Sequence, residues 1–420
     1  MMATESKPRV LYIVYWGAAE PLGRSLVLPA VKRLASLGAD LTLVTFEKPA
    51  DIEKRDVMAD IKGSLDESNI RWIPLRYHKR PKLPATAFDF AHGVARSVAA
   101  SLVARPDIIH ARTFIGGLIG LALRPVLGAK LIYHNEGFYP DEQVDAGVWG
   151  AGSRPHRVAK SLESRMYSRA DAIIALSNRA KDVIEKLPAV RRKATTVIKV
   201  PSCVDLDDFQ TSLSSLPVQS DMLRFVYAGN IGGRYRFEEV ARFVSAASLK
   251  MGRVHLRVLT AADPQVVSSI LRASGLPESS WSIEKVSREA IPAELSRADV
   301  GFNFLEQGIS EHGGSPTKIG EYWAAGLPVI STPNVSDTDE IIRRERVGVI
   351  VREHSDEGYS RAIEELRELL IDPDLPHRCR KAAENHYALA PACERQFALY
   401  EQLALVCPSP VRAELISRER

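Results

Sequence analysis

HGGSPTKIGEYWAAGLPVIST, residues 312–332, combines a loop, a helix and a buried strand in 21 residues. Ser315 is a favourable helix N-cap, and Pro316 suits the first helical position. Gly326 ends the helix, and the apolar residues from Val329 onward begin the strand. This order of elements predicts one unit of a parallel α/β sheet.

The same alternation of strand and helix runs along both halves of the chain. The predicted strands of the first half are RVLYIVY, LTLVTF, IRWIPL, PDIIHA, KLIYH, ADAIIAL and TTVIKV. Those of the second half are LRFVYAG, VHLRVLT, WSIEKV, DVGFNF, LPVIST and VGVIV. Such short Val- and Ile-rich runs between helices predict parallel sheets that are covered on both faces. We therefore expect two doubly wound, Rossmann-like α/β domains facing a central cleft, with sites at the carboxyl ends of their strands.

The alternation stops at DLDDFQTSLSSLPVQSDM, a Ser- and Asp-rich stretch without periodicity. It predicts an N-terminal domain of residues 1–205, a linker of residues 206–222 and a C-terminal domain of residues 223–394. A final helical segment, residues 395–420, could pack back on the first domain.

Composition is that of a globular protein, with 45% hydrophobic and 26% charged residues among 420. This length exceeds one ordinary core, which agrees with two domains. The 56 basic and 52 acidic residues leave a net charge of only +4. A balance this close argues against nucleic acid as the partner.

The cysteines and the apolar runs bear on where the protein resides. Four scattered cysteines, Cys203, Cys379, Cys393 and Cys407, are typical of a reducing compartment. The first ten residues lack the apolar core of a signal peptide. The run FIGGLIGLAL is far shorter than the roughly 20 residues that span a bilayer. We expect a cytoplasmic protein that could still lie peripherally at the inner face of the membrane.

Lys318 occupies an unusual place, because a cation in the first turn of a helix is disfavoured by the helix dipole. A phosphate held at the turn formed by Ser315, Pro316 and Thr317 would make this lysine favourable. Glu321, three residues further on, could accept hydrogen bonds from two ribose hydroxyls. The alternative is a solvated lysine–glutamate pair on a helix surface.

A second candidate anion site lies in VYAGNIGGRYRFEEV, residues 226–240, between a strand and a helix. Gly232 and Gly233 allow a backbone to approach a phosphate closely, and Arg234 adds a guanidinium suited to phosphate oxygens. The stretch matches neither a Walker A loop nor the G-x-G-x-x-G fingerprint. The alternative is a tight turn with a surface arginine.

Two loops of the first half carry further candidates. In YHNEGFYPDEQVDAGVW a strand ends at His134, and this residue or Glu136 could orient a sugar or take a proton. A structural histidine is the alternative. In RYHKRPK five of seven residues are Arg, Lys or His. Arg76, Lys79 and Arg80 could hold an anionic acceptor or a membrane surface, and a solvated loop is the alternative.

At these residues the chain resembles the retaining GT-B glycosyltransferases of family 4, bacterial polysaccharide type. SPTKIGEYWAAGLPVIST is similar to that family's most recognisable motif, and YAGNIGGR resembles its donor-phosphate loop. PDIIHARTF, SRADAIIALSNRAKDVI and VPSCVDLDDF resemble further motifs of the family in their usual order. The resemblance covers nearly the whole chain.

The resemblance implies transfer of a sugar, with retention at the anomeric carbon, from a UDP- or GDP-linked donor to a glycan, lipid-linked or small-molecule acceptor. It implies no metal ion and no other cofactor. The second domain would bind the donor and the first the acceptor, for which the charge of the basic loop already suggests Arg76, Lys79 and Arg80. Reaction of the sugar would take place near His134 or Glu136. The implied donor site comprises Gly17, Gly232, Gly233, Arg234, Ser315, Pro316, Thr317, Lys318 and Glu321.

Two positions depart from the family pattern. Gly313 stands where the family often has a second acid, so that either Glu306 or Glu311 replaces it or the sugar hydroxyls are recognised differently. Glu239 stands where the family often has a lysine, so that Lys318 or Arg236 would carry more of the diphosphate contact.

Two other functions remain open at this point. A nucleotide-sugar epimerase of related build would need poised carboxylates and a histidine, and the sequence shows no clear pair. A non-catalytic nucleotide-sugar-binding partner would fit the missing acid at Gly313. A dehydrogenase is disfavoured, because no dinucleotide fingerprint follows the first strand of either domain.

Overall fold

The computed structural model describes residues 7–209, 222–308, 310 and 313–405. These residues form two compact units, each built on its own parallel sheet. The first unit holds the described residues within Met1–Val144, Trp149–Val200 and Leu389–Arg420. The second holds Asp145–Val148 and the described residues within Pro201–Ala388.

The first sheet has seven parallel strands in the order β3-β2-β1-β4-β5-β6-β7. Its strands are β1 Arg9–Val14, β2 Asp40–Glu47, β3 Arg71–Arg76, β4 Ile108–Arg112, β5 Lys130–Asn135, β6 Ala172–Ala175 and β7 Thr196–Lys199. The strand order reverses between β1 and β4, and such a switch point opens a crevice at the carboxyl ends of the strands.

The second sheet has six parallel strands in the order β10-β9-β8-β11-β12-β13. Its strands are β8 Leu223–Ala228, β9 Val254–Leu259, β10 Trp281–Glu284, β11 Val300–Asn303, β12 Val329–Ser331 and β13 Gly348–Ile350. Here the order reverses between β8 and β11, so the same rule applies.

Helices connect the strands of both sheets. Those of the first unit are α1 Leu28–Ser36, α2 Pro49–Ile52, α3 Arg55–Glu67, α4 Lys82–Val103, α5 Phe114–Leu127, α6 Tyr139–Asp145, α7 Arg154–Arg169, α8 Asn178–Glu185 and α9 Pro188–Lys193. The next seven are α10 Phe237–Met251, α11 Pro264–Ala273, α12 Ile291–Leu295, α13 Thr317–Ala324, α14 Thr338–Glu345, α15 Asp356–Leu370 and α16 Leu375–His386. A last helix, α17, spans Leu389–Leu405. Short π and 3₁₀ turns occupy Gly23–Val27, Leu206–Phe209, Glu278–Ser280 and Arg288–Ala290.

Buried apolar strands account for the stability of each unit. In the second unit the rings of Phe225, Phe243 and Phe302 pack within 5.3 to 6.4 Å of one another between the sheet and α10. Burial of such a ring contributes about 1.5–3 kcal/mol relative to leaving it exposed. Two doubly wound Rossmann-like domains were predicted from the sequence, and this architecture is confirmed.

The passage from the first unit to the second lies between Val200 and Pro201, five residues before the predicted boundary. Phe209 is fully buried in the core of the second unit, so the predicted linker does not begin at residue 206. The reason is local: Leu206–Phe209 forms a 3₁₀ turn, and the Phe209 side chain at its end packs in that core. The remainder of the linker prediction, residues 210–221, lies outside the described residues.

Helix α17 belongs to the first unit, although it follows the second in the chain. It packs on α1, where the Cys393 sulfur is 3.9 Å from the Ala30 carbonyl oxygen and Glu394 is 3.7 Å from Arg33. The predicted segment from residue 406 onward lies outside the described part of the chain.

The start of α13 differs from the sequence prediction. The helix begins at Thr317, and its N-cap is Pro316 without a side-chain capping bond, so Ser315 is not the N-cap. The Ser315 hydroxyl instead accepts a hydrogen bond from the Ser202 amide at 3.1 Å. This competing donor, more than a hundred residues away, is invisible to local capping rules.

Glycine at position 301 allows α13 to lie close to the sheet. A Cβ at Gly301 would lie 2.6 Å from the Tyr322 ring. The Tyr322 hydroxyl accepts a hydrogen bond of 2.9 Å from the Ala228 amide at the end of β8. Strand β8 and helix α13 are thereby held in one fixed arrangement.

We expect Gly301→Ala to destabilise the second unit by about 1–3 kcal/mol, because the new methyl group must push back the Tyr322 ring. Gly63→Ala is the matched control, since a Cβ at Gly63 in α3 meets nothing within 4 Å. The control should be neutral or stabilising, because alanine favours a helix over glycine. Differential scanning calorimetry of both variants measures this, and equal melting temperatures would contradict the packing argument.

Candidate functional site

The glycine loop, residues 229–236, follows β8 and precedes α10. Gly232 and Gly233 adopt φ angles of 84° and 64°, which favour glycine, and a Cβ at either would meet nothing within 4 Å. These two glycines are therefore required by backbone conformation, and the space beside them is open. Arg234 follows directly, and its guanidinium lies 3.8 Å from where a Cβ of Gly314 would be. Arg234 thus reaches the segment in front of α13.

Lys318 lies where the glycine loop and α13 meet. Its side chain is buried, and among the described residues its Nζ has no hydrogen-bond partner. The nitrogen lies 4.6 Å from the centre of the Tyr227 ring and 4.4 Å from that of Tyr235. A Cβ at Gly229 would lie 2.9 Å from it, which explains the glycine at that position. The surface lysine–glutamate pair considered above is therefore excluded.

Burial and charge act on this lysine together. Removal from water lowers the pKa of Lys318 from 10.5 to about 7, the Glu321 carboxylate raises it, and Arg234 lowers it further. A buried cation beside a second cation, without an acceptor in the described chain, is an arrangement that an anion would stabilise. The start of α13 adds backbone N–H groups that have no acceptor within the helix.

Glu321 is buried as well, on the same helix, and forms an ion pair with Arg288. The contact of Arg288 uses the Oε1 atom of this carboxylate. Arg288 lies in the short 3₁₀ turn after β10, and sequence reasoning did not find it. No local signal could have indicated it, because 33 residues separate the two partners.

The acids at or near the two positions that depart from the family pattern differ in their burial. Glu239 is buried, accepts a hydrogen bond from the Tyr359 hydroxyl at 2.5 Å and pairs with Arg236 at 3.1 Å. Arg236 is thus engaged by Glu239. Glu306, one suggested substitute for the acid missing at Gly313, is exposed, and the other, Glu311, lies outside the described residues.

In the first unit, Gly17 lies in the loop after β1 and packs against Glu47. A Cβ at Gly17 would lie 2.7 Å from the Glu47 Oε2 atom. The Glu47 carboxylate is fully buried and accepts hydrogen bonds from the amides of Ala18 at 2.7 Å and Ala19 at 3.2 Å. Burial raises the pKa of Glu47, and these hydrogen bonds oppose the shift. Glu47 therefore fixes the loop that contains Gly17.

His134 and Glu136 lie at the end of β5, in a buried polar network. The His134 Nδ1 atom is 3.0 Å from His110 Nε2, and His110 Nδ1 is 2.7 Å from the Tyr400 hydroxyl. Arg112 donates to the Glu136 carboxylate, which lies 3.5 Å from His134 Nε2. The predicted pair is thus brought together, and His110, Arg112 and Tyr400 are additional members.

One set of proton positions is consistent with the hydrogen bonds of this network, and it leaves His134 Nε2 without a hydrogen-bond partner among the described residues. Gln396 donates to the Tyr400 oxygen at 2.8 Å, so Tyr400 can donate to His110 and His110 to His134. The His134 Nε2 proton then faces Glu136. Burial lowers the pKa of both histidines well below 6.5, and the charge of Arg112 adds to the effect. Both imidazoles are therefore neutral at pH 7.

The basic loop, residues 76–82, begins at the end of β3. Asp89, fully buried in α4, accepts hydrogen bonds from the His78 ring at 2.6 Å and from the Tyr15 hydroxyl at 2.8 Å. Arg76, Lys79 and Arg80 are exposed. The loop is thus anchored at His78, and these three cations face outward.

Exposed apolar side chains lie next to these cations on α4. Leu83 is 82% exposed and Phe88 56% exposed. Throughout the described residues, no helix has both the length and the hydropathy of a membrane span. In the same part of the chain, no group of three or more His, Cys, Asp or Glu side chains is arranged to hold a metal ion.

Two family models match the chain. "Glycosyltransferase Family 4" matches residues 26–208, and "Glycosyl transferases group 1" matches residues 223–368. A search of curated proteins found no match. The two family matches favour neither an epimerase nor a non-catalytic binding partner.

Solved structures share the fold at low sequence identity. Sucrose-phosphate synthase from Thermosynechococcus elongatus is 17% identical over 96% of this chain and 100% of that one, with a TM-score of 0.70. A glycosyltransferase from Rickettsia africae is 14% identical over 94% and 98%, with a TM-score of 0.65. Anabaena HepE in complex with UDP and glucose is 14% identical over 94% and 100%, also with a TM-score of 0.65. The predicted two-domain fold is confirmed by these likenesses.

Proposed function

Because the chain belongs to the GT-B glycosyltransferases of family 4, which transfer a sugar from a nucleotide-sugar donor, we propose that it does so with retention at the anomeric carbon. The observation that carries the donor assignment is the buried Lys318 nitrogen, which has no acceptor among the described residues. A donor diphosphate would supply that acceptor. The complex of HepE with UDP makes UDP the first nucleotide to test, with GDP as the second.

In this proposal the second unit binds the donor. Arg234 and Lys318 contact the diphosphate, and the backbone at Gly232, Gly233 and Thr317 contributes N–H groups. Negative charge develops on the leaving diphosphate in the transition state, and fixed cations in a buried site stabilise it. These two cations are the reason we propose a reaction without a metal ion or other cofactor.

Glu321 would accept from the ribose hydroxyls, with Arg288 holding the carboxylate in place. Ser315 and Pro316 would shape the approach to α13, since the Ser315 hydroxyl is already engaged by Ser202. Gly17, held by Glu47, would border the donor from the first unit.

We propose that Glu136 meets the reacting sugar and that His134 orients it. The Glu136 side chain retains 16% exposure, whereas His134 is only 2% exposed and keeps its ring nitrogens within the protein. A neutral histidine whose Nε2 proton points at Glu136, 3.5 Å away, would favour one direction of that carboxylate. Arg112 would hold the Glu136 carboxylate through the hydrogen bond that its guanidinium donates.

The acceptor is proposed to be a glycan or a lipid-linked molecule that carries negative charge or lies at a membrane. The exposed cations Lys79 and Arg80 suit an anionic headgroup, and Leu83 and Phe88 suit the apolar layer beneath it. Cys203, Cys379 and Cys393 are buried and none of them forms a disulfide, which supports the cytoplasm as the compartment.

We expect Lys318→Met to weaken UDP or GDP binding by tenfold or more at pH 6.5, because it removes a charge-assisted contact worth about 1.5–3 kcal/mol. Without ligand the variant should be no less stable, since methionine avoids the burial of an amino group that has no acceptor. Calorimetric titration in EDTA and thermal melting measure both effects. Lys250→Met, on the surface of α10, is the matched control. A destabilised variant with unchanged nucleotide affinity would show that Lys318 is only structural.

Retention is tested on the product. With the α-linked nucleotide-sugar that the titrations select, we expect an α-linked product, since retention preserves the configuration of the donor. The one-bond carbon–proton coupling constant at the anomeric carbon, measured by NMR, distinguishes the two outcomes. A β-linked product would establish inversion and overturn this part of the proposal.

Charge reversal of the basic loop tests the acceptor assignment. We expect the double variant Lys79→Glu, Arg80→Glu to raise the acceptor KM severalfold and to leave donor affinity unchanged, because these side chains are exposed and the His78–Asp89 anchor is intact. Steady-state kinetics with each substrate varied separately measures this. Unaltered acceptor kinetics would identify a solvated loop without a role in binding.

A further inference from the structure

Lys318 lies between two aromatic rings, a setting for which the donor contact alone gives no reason. The Nζ atom lies over the faces of Tyr227 and Tyr235, at 4.6 and 4.4 Å from their centres. The face of an aromatic ring carries partial negative charge and attracts a cation within about 6 Å. The two rings therefore stabilise the charged form of a lysine that burial destabilises.

The two rings are held in place by different means. Tyr227 lies on β8, is fully buried, and its hydroxyl donates to the Asn230 carbonyl at 2.5 Å. It thereby ties the glycine loop to the strand. Tyr235 lies within the loop itself, is half-buried, and forms isolated β-bridges with Gly232 and Leu305. We call the two rings the aromatic cage. One side of this cage, Tyr227, belongs to the rigid core, and the other, Tyr235, belongs to the loop that would receive the donor.

The Lys318 nitrogen is closed off from solvent in this arrangement. A phosphate that reaches this nitrogen must displace part of its cover, and we infer that this part is Tyr235, because its ring belongs to the loop and not to the core. Binding of the phosphate would then remove the contact of Lys318 with the Tyr235 ring and replace it with a contact to the phosphate.

Every charged or titratable group that faces Lys318 acts on its proton affinity. Arg234 opposes the charged form, Glu321 favours it, and Glu321 is itself shared with Arg288. The Tyr227 phenol beside it stays neutral, because burial raises the pKa of Tyr227. Among the described residues, the facing groups are Tyr227 from β8, Arg234 and Tyr235 from the glycine loop, and Glu321 from α13.

We propose that Tyr227 and Tyr235 are positioning residues that hold the Lys318 side chain in the empty enzyme, and that arrival of the donor diphosphate brings a proton onto this side chain. This inference rests on the proposed function. The proton comes from solvent and adds to the Nζ lone pair, so that the amine becomes an ammonium and no covalent bond to carbon, phosphorus or oxygen of the donor changes.

The sign of the pH dependence follows from the free enzyme. With the pKa of Lys318 lowered to about 7, the side chain is largely neutral at pH 8 and must gain a proton to pair with a diphosphate. Donor affinity should be full below pH 7 and fall by about tenfold per pH unit above it. The diphosphate of UDP is fully ionised at pH 8 and adds no proton change of its own.

The main experiment is calorimetric titration of the full-length wild-type chain with UDP at pH 8, in buffers of different ionisation enthalpy. We expect roughly one proton taken up per UDP bound, and none for Lys318→Met where binding remains measurable. Lys250→Met should match the wild type. UDP binding without proton uptake, and with equal affinity from pH 6.5 to 9, would overturn this inference and leave the proposed function standing. Absence of binding of both UDP and GDP at pH 6.5 would overturn both.

Variants of Tyr235 test the cage itself. Tyr235→Phe keeps the ring face and should retain the wild-type dependence of UDP affinity on pH. Tyr235→Leu keeps an apolar cover but loses the ring face, so the pH at which affinity begins to fall should drop by roughly 0.5 unit or more. Thermal melting confirms that both variants fold. An unchanged pH curve for Tyr235→Leu would show that Tyr235 is only a cover.

Discussion

The hydrogen bond from the Ala228 amide to the Tyr322 hydroxyl, 2.9 Å long, joins the end of β8 to helix α13. It lies in the buried core, where an unpaired amide would be costly, so the two elements cannot drift apart independently. Gly301 makes the contact sterically possible, because any side chain there would meet the Tyr322 ring. The place of Lys318 depends on this tie, since the residue lies on α13 and its nitrogen meets a ring of β8.

Much of the fold was predictable because its signals are local. Alternating apolar runs and helices indicated both sheets, and the turn chemistry of Gly232 and Gly233 indicated a loop with open space beside it. Lys318 was predictable for a different reason: its conflict with the helix dipole is visible in the sequence. Ser315 shows the limit of local rules, because a distant amide competes for its hydroxyl. Three other residues could not be found from the sequence, because their partners are distant in the chain. The partner of Arg288 is 33 residues away, those of Glu47 are 28 and 29 residues away, and that of Tyr400 is 290 residues away.

The two units treat buried charge differently. In the second, the Lys318 nitrogen has no acceptor within the described chain, and two aromatic rings take the place of a counter-ion. In the first, the buried Arg112 pairs with Glu136, whose side chain is partly exposed, and also lies 3.4 Å from the Tyr12 hydroxyl. A paired charge needs no ligand, whereas a charge without an ionic partner is stabilised further when an anionic ligand arrives. The unit that leaves its cation unpaired is the one to which we assign the donor.

Helix α17 has a consequence for how the protein is made. The helix belongs to the first unit, yet the ribosome synthesises it only after the whole second unit. The hydrogen bonds from Gln396 to Tyr400 and between Tyr400 and His110 therefore cannot form during synthesis of the first 200 residues. Until α17 has been synthesised, His110 lacks its hydrogen-bond partner Tyr400, and the contact of His134 with His110 lacks that support. The amino-terminal half of the nascent chain therefore remains without these hydrogen bonds while the other half emerges and folds.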